Sequence, residues 1–172
     1  MPAHILVVDP EPDLQVLISR RFRQHMRLGE FSFLYAHDGE QALEVVRSEP
    51  ALDMVLSDID MPGMDGLSFL RHLKALNPPL RAVVVSAHGD MANIRSAMNA
   101  GAFDFLGKPV TFRDLEATIR KSLAETAWLR RLARERHLAE AQRLDLAGRA
   151  AVLAVIRQGL AALIRDQVRR GT

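Results

Sequence analysis

The sequence predicts an α/β protein built on a doubly wound, five-stranded parallel sheet with a helical extension at its C-terminal end. Two observations lead there. Up to about residue 120, short apolar runs alternate five times with longer stretches of helical spacing, and that alternation implies parallel strands joined by helices on both faces. Several of the runs are rich in Val, Ile or Leu without polar alternation, as strands buried on both faces are. Beyond residue 120 the spacing stays helical, and no sixth run follows.

In chain order, the runs are residues 5–8, 31–36, 52–57, 82–86 and 103–106. Between them lie the stripes Leu14, Leu17, Ile18 and Phe22; Ala42, Val45 and Val46; Leu67, Leu70 and Leu73; and Ile94, Ala97 and Met98. Leu115, Ile119 and Leu123 begin a fifth stripe. Right-handed crossovers restrict such a series to a doubly wound sheet. The expected boundary places this domain at 1–122 and a helical extension at 123–172.

The chain has 172 residues, of which 48% are apolar. That is enough for one proper core and argues against global disorder. There is no cysteine, which excludes disulfides and thiolate metal sites. Residues 5–8 are too short for a signal peptide, Asp9 follows them directly, and no apolar run is long enough to span a bilayer. A cytoplasmic location is expected. The net charge of +2 hides a division: residues 1–119 carry 11 Lys/Arg against 16 Asp/Glu, and residues 120–172 carry 12 against 5. A solvated basic helix is preferred for the tail over a nucleic-acid surface.

Doubly wound sheets place their chemistry at the carboxyl ends of the strands. Asp9 and Glu11 follow the first run, and Asp58 and Asp60 the third. Ser86 ends the fourth, and Lys108 follows the fifth. Singly, each reads as a loop or cap residue. Together they supply acids, a hydroxyl and a cation to one edge. Clustered carboxylates repel one another, and they suit a hard divalent cation such as Mg²⁺. One of them can also act as a nucleophile and form an acyl phosphate, with its charge offset by metal and lysine.

The stretch VLSDIDMPGMDG (55–66) resembles the phosphorylation loop of response-regulator receiver domains of two-component signalling. VVVSA (83–87) and FLGKPV (105–110) are similar to that family's hydroxyl and lysine signatures. The resemblance spans about residues 3–122 and implies a flavodoxin-like sheet of strand order 2-1-3-4-5. It implies Asp58 as phosphoacceptor, Ser86 and Lys108 as phosphoryl-binding residues, and Phe105 at the aromatic switch position. It also implies Mg²⁺ held around Asp9, Glu11, Asp58 and Asp60, with Asp60 giving its backbone carbonyl. The phosphodonor would be a sensor histidine kinase or a phosphotransfer protein, and the domain a switch rather than a conventional enzyme. One position departs: Pro10 stands where the family has a second acid, and proline offers no side-chain oxygen and no N–H. Three outcomes follow. Asp9 or Glu11 reaches the metal directly, or metal affinity and phosphorylation are poor, or the domain is a pseudo-receiver. Weakened but surviving chemistry is the preferred one.

His88, two residues after Ser86, reads as an exposed loop residue at the mouth of the site, with modulation of acyl-phosphate hydrolysis as the sharper alternative. MPGMDG lacks P-loop spacing; its Pro62, Gly63 and Gly66 are turn chemistry, and Asp65 is a candidate N-cap. In the tail, Arg136 and Arg143 interrupt a coiled-coil seam. A second stripe, Leu153, Ile156, Leu160, Leu163 and Val168, is better. LDLAGRA (144–150) separates the two, with Gly148 as a hinge or stop and Asp145 as a cap. Such helices cannot bury an apolar face alone, so the expectation is a homodimer through the C-terminal helices. Two alternatives stand beside it: basic helices that bind nucleic acid, and a truncated regulator cut before an enzymatic output domain. No membrane association is expected.

Overall fold

The computed structural model describes residues 1–170, with side chains to residue 158. The strands are β1 (Ala3–Val8), β2 (Phe31–Ala36), β3 (Leu52–Ser57), β4 (Arg81–Ser86) and β5 (Asp104–Gly107). All pairings are parallel, in the order β2-β1-β3-β4-β5. The helices are α1 (Pro12–Arg21), α2 (Arg23–Arg27), α3 (Gly39–Ser48), α4 (Gly66–Leu76), α5 (Met91–Ala100) and α6 (Phe112–Arg170). The fold is the doubly wound, flavodoxin-like sheet that the sequence implies.

Alternation along the strands divides the core in two, because successive side chains point to opposite faces. Leu6, Val8, Val55 and Val84 face α3, α4 and α5, where Ala42, Leu70 and Ala97 cover them. Ile5, Val7, Leu56 and Val83 face α1 and α6, where Leu14, Ile18, Leu115 and Ile119 cover them. Nearly all of these are wholly buried, so the apolar residues of the central strands are shared between the two layers. Hence the strands read as continuous apolar runs.

The helix ends follow from local chemistry. Asp38, Asp65 and Asp90 cap α3, α4 and α5, each accepting backbone N–H groups of the first turn. Asp65 accepts from the Ser68 amide at 2.6 Å, and that bond holds its carboxyl below its ordinary pKa. Pro12 occupies the first turn of α1, where no donor is needed. α4 ends on Asn77 at φ 47° and α5 on Gly101 at φ 111°, both left-handed.

Two features differ from the sequence expectation. The first helical stripe is split, because α1 ends at Arg21 and a short α2 follows. Phe22 lies between them, wholly buried against Phe31, Phe33 and Phe112. The break expected at Gly148 is absent: α6 passes through it, and Asp145 pairs with Arg149 one turn on instead of capping a new helix. In an exposed helix a single glycine costs about 1 kcal/mol relative to alanine, which weakens the helix without ending it.

β1 and β3 slip register between His4 and Ile5, leaving Asp53 as the extra residue. Its carboxylate accepts the His4 amide at 2.8 Å and pairs with Arg130. Arg130 also donates to the Leu52 carbonyl at 2.6 Å, and the Thr126 hydroxyl donates to the Asp53 carbonyl at 3.0 Å. α6 is thereby fastened to the amino-terminal end of β3. The chain divides into two compact units, Met1–Arg130 and Arg131–Thr172. In the second, every residue from 133 to 158 is exposed, among them Leu138, Leu144, Leu146, Leu153 and Ile156. No described helix is long and apolar enough to cross a membrane.

Candidate functional site

The site lies at the carboxyl edge of the sheet, where ladder bonds run past the strand ends. The Asp9 amide donates to the Ala36 carbonyl at 3.1 Å, and the Asp58 amide to the Val8 carbonyl at 2.8 Å. The Lys108 amide donates to the Ser86 carbonyl at 2.9 Å. These bonds hold three side chains from β1, β3 and β5 at fixed heights on one edge.

Lys108 reaches both acids. Its Nζ lies 2.6 Å from Asp58 Oδ2 and 3.0 Å from Asp9 Oδ2. The carboxylates are almost fully buried, at 6% and 5% exposure. Burial pulls the Lys108 pKa down, but the hydrogen bonds and charges of Asp58 and Asp9 outweigh it and leave the ammonium above its ordinary value. The second oxygen of each acid is also engaged. Asp58 Oδ1 accepts the amides of Ile59 at 2.6 Å and Asp60 at 3.2 Å, and Asp9 Oδ1 accepts the Glu11 amide at 2.8 Å. The peptide between Lys108 and Pro109 is cis.

Ser86 is wholly buried at the end of β4, and its Oγ accepts the His88 amide at 3.1 Å. Phe105 is partly buried against the core layer that holds Val84. Gly89 passes close above it, since a Cβ there would lie 3.9 Å from the Phe105 ring. Asp60 points away from the acids, toward His88, whose Nδ1 is 2.9 Å from Asp60 Oδ2. Both of those side chains are more than half exposed.

This geometry, a carboxylate held beside an ammonium at the tips of parallel strands, matches a known family over most of the chain. The model of the response regulator receiver domain matches residues 5–120. The chain belongs to that family. It is 41% identical over 96 residues to the transcriptional regulatory protein ZraR of Escherichia coli K12, a match spanning 56% of this chain and 22% of that protein. It is 28% identical over 123 residues to sporulation initiation phosphotransferase F of Bacillus subtilis 168, spanning 72% of this chain and 95% of that one. Among solved structures, a response regulator receiver domain protein from Clostridium thermocellum aligns with a TM-score of 0.65 at 30% identity, covering 74% of this chain and 98% of that chain. This is therefore the receiver domain of a two-component response regulator, a signalling domain whose general function is to be phosphorylated by a histidine kinase. The chain spans about a fifth of the length of the regulator relatives it matches.

In the receiver domain, the sequence-derived residues separate into two groups. Asp9, Asp58 and Lys108 come together. The carboxylates of Glu11 and Asp60 do not join them: Glu11 is exposed, and Asp60 is turned to His88. Pro10 carries the turn into α1. Among the described residues, no three acidic or histidine side chains converge as a metal-binding cluster. Asp9 and Asp58 still fit a divalent cation, because two buried carboxylates share one ammonium and a net negative charge remains between them.

Two contacts escaped the sequence. The His88–Asp60 pair joins loops 28 residues apart, and the Ser57 hydroxyl donates to the Asp58 carbonyl at 2.9 Å. Gly66 is read in the sequence as turn chemistry, but a close approach requires it. Its φ is not left-handed, yet a Cβ would stand 2.0 Å from the Asp58 carbonyl oxygen.

Proposed function

We propose that Asp58 is the phosphoacceptor of this receiver domain, that Lys108 and Ser86 bind the transferred group, and that Asp9 and Asp58 hold Mg²⁺. The observation that carries this reading is the Lys108 ammonium, bonded at once to Asp58 and Asp9. A carboxylate oxygen of Asp58 forms a bond to the phosphorus of a donor phosphohistidine. The P–N bond breaks, its electron pair passes to the imidazole nitrogen, and an aspartyl phosphate results. Water later attacks the phosphorus, releasing inorganic phosphate and restoring the carboxylate.

Lys108 stays beside the growing charge on the phosphoryl oxygens, and the Ser86 hydroxyl donates to one of them after turning from the His88 amide. Phe105, close to that loop, follows the movement of Ser86. When bound, Mg²⁺ offsets the remaining phosphoryl charge, and with Pro10 in place of an acid it does so with fewer charged ligands. The donor is a histidine kinase or phosphotransfer protein, and a cytoplasmic location is part of the same proposal.

The experiment is incubation with acetyl phosphate and Mg²⁺, followed by intact-mass measurement. A phosphate adduct that appears in the wild type and is absent from Asp58→Asn supports the assignment. An adduct of equal yield in Asp58→Asn would remove it.

The tail supports a second statement. Leu153 and Ile156 are exposed at 61% and 55%, and their spacing continues to Leu160, Leu163 and Val168, whose side chains lie outside the described ones. A homodimer through this stripe, of coiled-coil type, covers it. Light scattering of the full chain should give a dimer, and Leu153→Glu with Ile156→Glu a monomer. A monomeric wild type would favour the reading as one part of a longer regulator, in keeping with the fifth of the relatives that is matched. A nucleic-acid role for the arginine-rich tail requires retention on duplex DNA that falls steeply with salt.

A further inference from the structure

The segment RRFRQHMRL (20–28) places Arg20, Arg21, Arg23 and Arg27 within eight residues that hold no acid. It does so in a region, 1–119, whose acids outnumber its bases. All four are exposed. Among the described residues none of them forms an ion pair; Arg47, Arg71, Arg95 and Arg113 form none either, but those stand singly along the chain, whereas these four are clustered.

Helix dipoles account for part of this placement. Arg20 and Arg21 sit in the last turn of α1 and Arg27 in the last turn of α2, where a cation is favourable. They do not account for Arg23. It is the first residue of α2, where the dipole opposes a cation, and it stands four residues from Arg27, a repulsive spacing for like charges. The fold carries that cost without any return inside the unit. A residue that breaks a local rule with no internal compensation points to an external partner.

The four arginines, with Gln24 and Leu28, line a depression of about 570 Å³. A neighbouring depression of about 500 Å³, lined by Asp13, Val16, Leu17, Arg20 and Arg21, shares two of its walls. None of Asp9, Asp58 or Lys108 lines either one. Leu28 is 67% exposed and Val16 41%.

We propose that this corner docks an acidic, amphipathic segment of another protein, its carboxylates paired with the guanidinium groups and its apolar side chains seated on Leu28 and Val16. Guanidinium forks recognise carboxylate and phosphate equally well. The two exposed aliphatic side chains decide between them. A nucleic-acid backbone offers nothing to cover them, and no aromatic residue lines the depressions to stack a base; a bilayer boundary takes up the long apolar face of an amphipathic helix, and two aliphatic side chains do not make one. Buried aliphatic contact surrounded by arginine is instead the composition of a protein interface. The surface is independent of whether Asp58 takes a phosphoryl group.

The test is a titration of the isotopically labelled full chain, followed by amide and arginine side-chain NMR. Four probes are used: a synthetic peptide of Glu and Leu at helical spacing, poly-L-glutamate, a short DNA duplex, and vesicles of phosphatidylglycerol. The Glu/Leu peptide should move the signals of residues 20–28, less so as salt is raised. It should bind about tenfold more tightly than poly-L-glutamate, and Leu28→Ala should remove that advantage. Arg23→Glu with Arg27→Glu should weaken it about tenfold or more, with the milder Arg23→Gln and Arg27→Gln pair acting in the same direction. Absence of shifts at 20–28 overturns the proposal. So does tighter binding of duplex or vesicles at those same residues, which would give the corner to phosphates.

Discussion

Replacing Gly66 by alanine should disrupt the loop that carries Asp58, and the size of the effect follows from three distances. A Cβ at 66 would lie 2.0 Å from the Asp58 carbonyl oxygen, 2.8 Å from the Ile59 Cα and 2.9 Å from the Asp58 carbonyl carbon. Every one of these atoms is backbone, so none can swing aside as a side chain would. Relief requires α4 to retreat from the loop by more than about 1 Å, since ordinary carbon–oxygen contact lies near 3.5 Å. The Gly66 amide donates to the Ile59 carbonyl at 2.9 Å, and that bond breaks with the retreat. Overpacking costs about 1–3 kcal/mol, and the lost hydrogen bond about 1 kcal/mol. Alanine returns at most about 1 kcal/mol of helix propensity. The net is a loss of about 1–3 kcal/mol, a large share of the roughly 5–15 kcal/mol that domains possess, or a displaced Asp58. Urea unfolding followed by far-UV circular dichroism measures the first outcome, and the rate of acetyl phosphate labelling the second. Gly89→Ala is the control, because its Cβ meets only the Phe105 ring at an ordinary 3.9 Å. If Gly66→Ala matched wild type within about 0.5 kcal/mol and labelled at an unchanged rate, the close-approach account of this glycine would be wrong.

Gly148→Ala, with nothing within 4 Å of its Cβ, should raise the helix content of the tail on circular dichroism by removing its weakest residue; a loss of helix would mean that Gly148 is a genuine break. Arg130→Ala leaves the Asp53 carboxylate with the His4 amide alone and should cost about 1–3 kcal/mol of unfolding free energy, toward the lower end because the pair is a fifth to a quarter exposed. A change below about 0.5 kcal/mol in urea titration would mean that the fastening is not stabilising. His88→Ala removes the ring that pairs with Asp60 in the loop after Ser86 and, with Asp58 as the proposed acceptor, should speed loss of the aspartyl phosphate several-fold; an identical decay in a phosphate-release assay would exclude that role. The Lys108 pKa is raised in the folded state, so its contribution is present below the unfolded value near about 10.4 and is lost as pH rises through the folded one. The wild-type stability advantage over Lys108→Met should therefore shrink above about pH 10.4, and a constant difference through that range would contradict the linkage.

The fold was legible because its strands are buried on both faces. Residues 5–8, 52–57 and 82–86 show no alternation in the sequence, and each divides its side chains between two packed layers. The meeting of Asp9, Asp58 and Lys108 was legible for a related reason: strand ends are fixed in height by their ladders, so residues just past them meet. α2 was not legible, since RQHMR has no apolar period of its own and is folded by Phe22 beside it. The Arg130–Asp53 pair spans 77 residues and the His88–Asp60 pair 28, separations over which no local pattern exists. Gly148 misled because its conformational cost was weighed as a stop signal in a helix that simply continues.

The charges at the acceptor edge show what Pro10 leaves undone. Asp9 and Asp58 bring two negative charges to a place almost closed to water, and Lys108 brings one positive charge. Every carboxylate oxygen is already met by an amide or the ammonium, so the resting edge is satisfied in hydrogen bonds while one negative charge stays uncompensated. With Asp58 as the proposed acceptor, phosphorylation would make the imbalance worse, because a neutral acyl link replaces one carboxylate charge and a phosphoryl group adds nearly two. Lys108 cannot offset both that group and Asp9. The deficit is thus larger in the phosphorylated state than at rest, and an added cation is worth more there. An acid at position 10 would supply charge that attracts the cation before the phosphoryl group arrives. With proline in its place, and with Asp58 as the proposed acceptor, a cation would gain more from the phosphorylated edge than from the resting one.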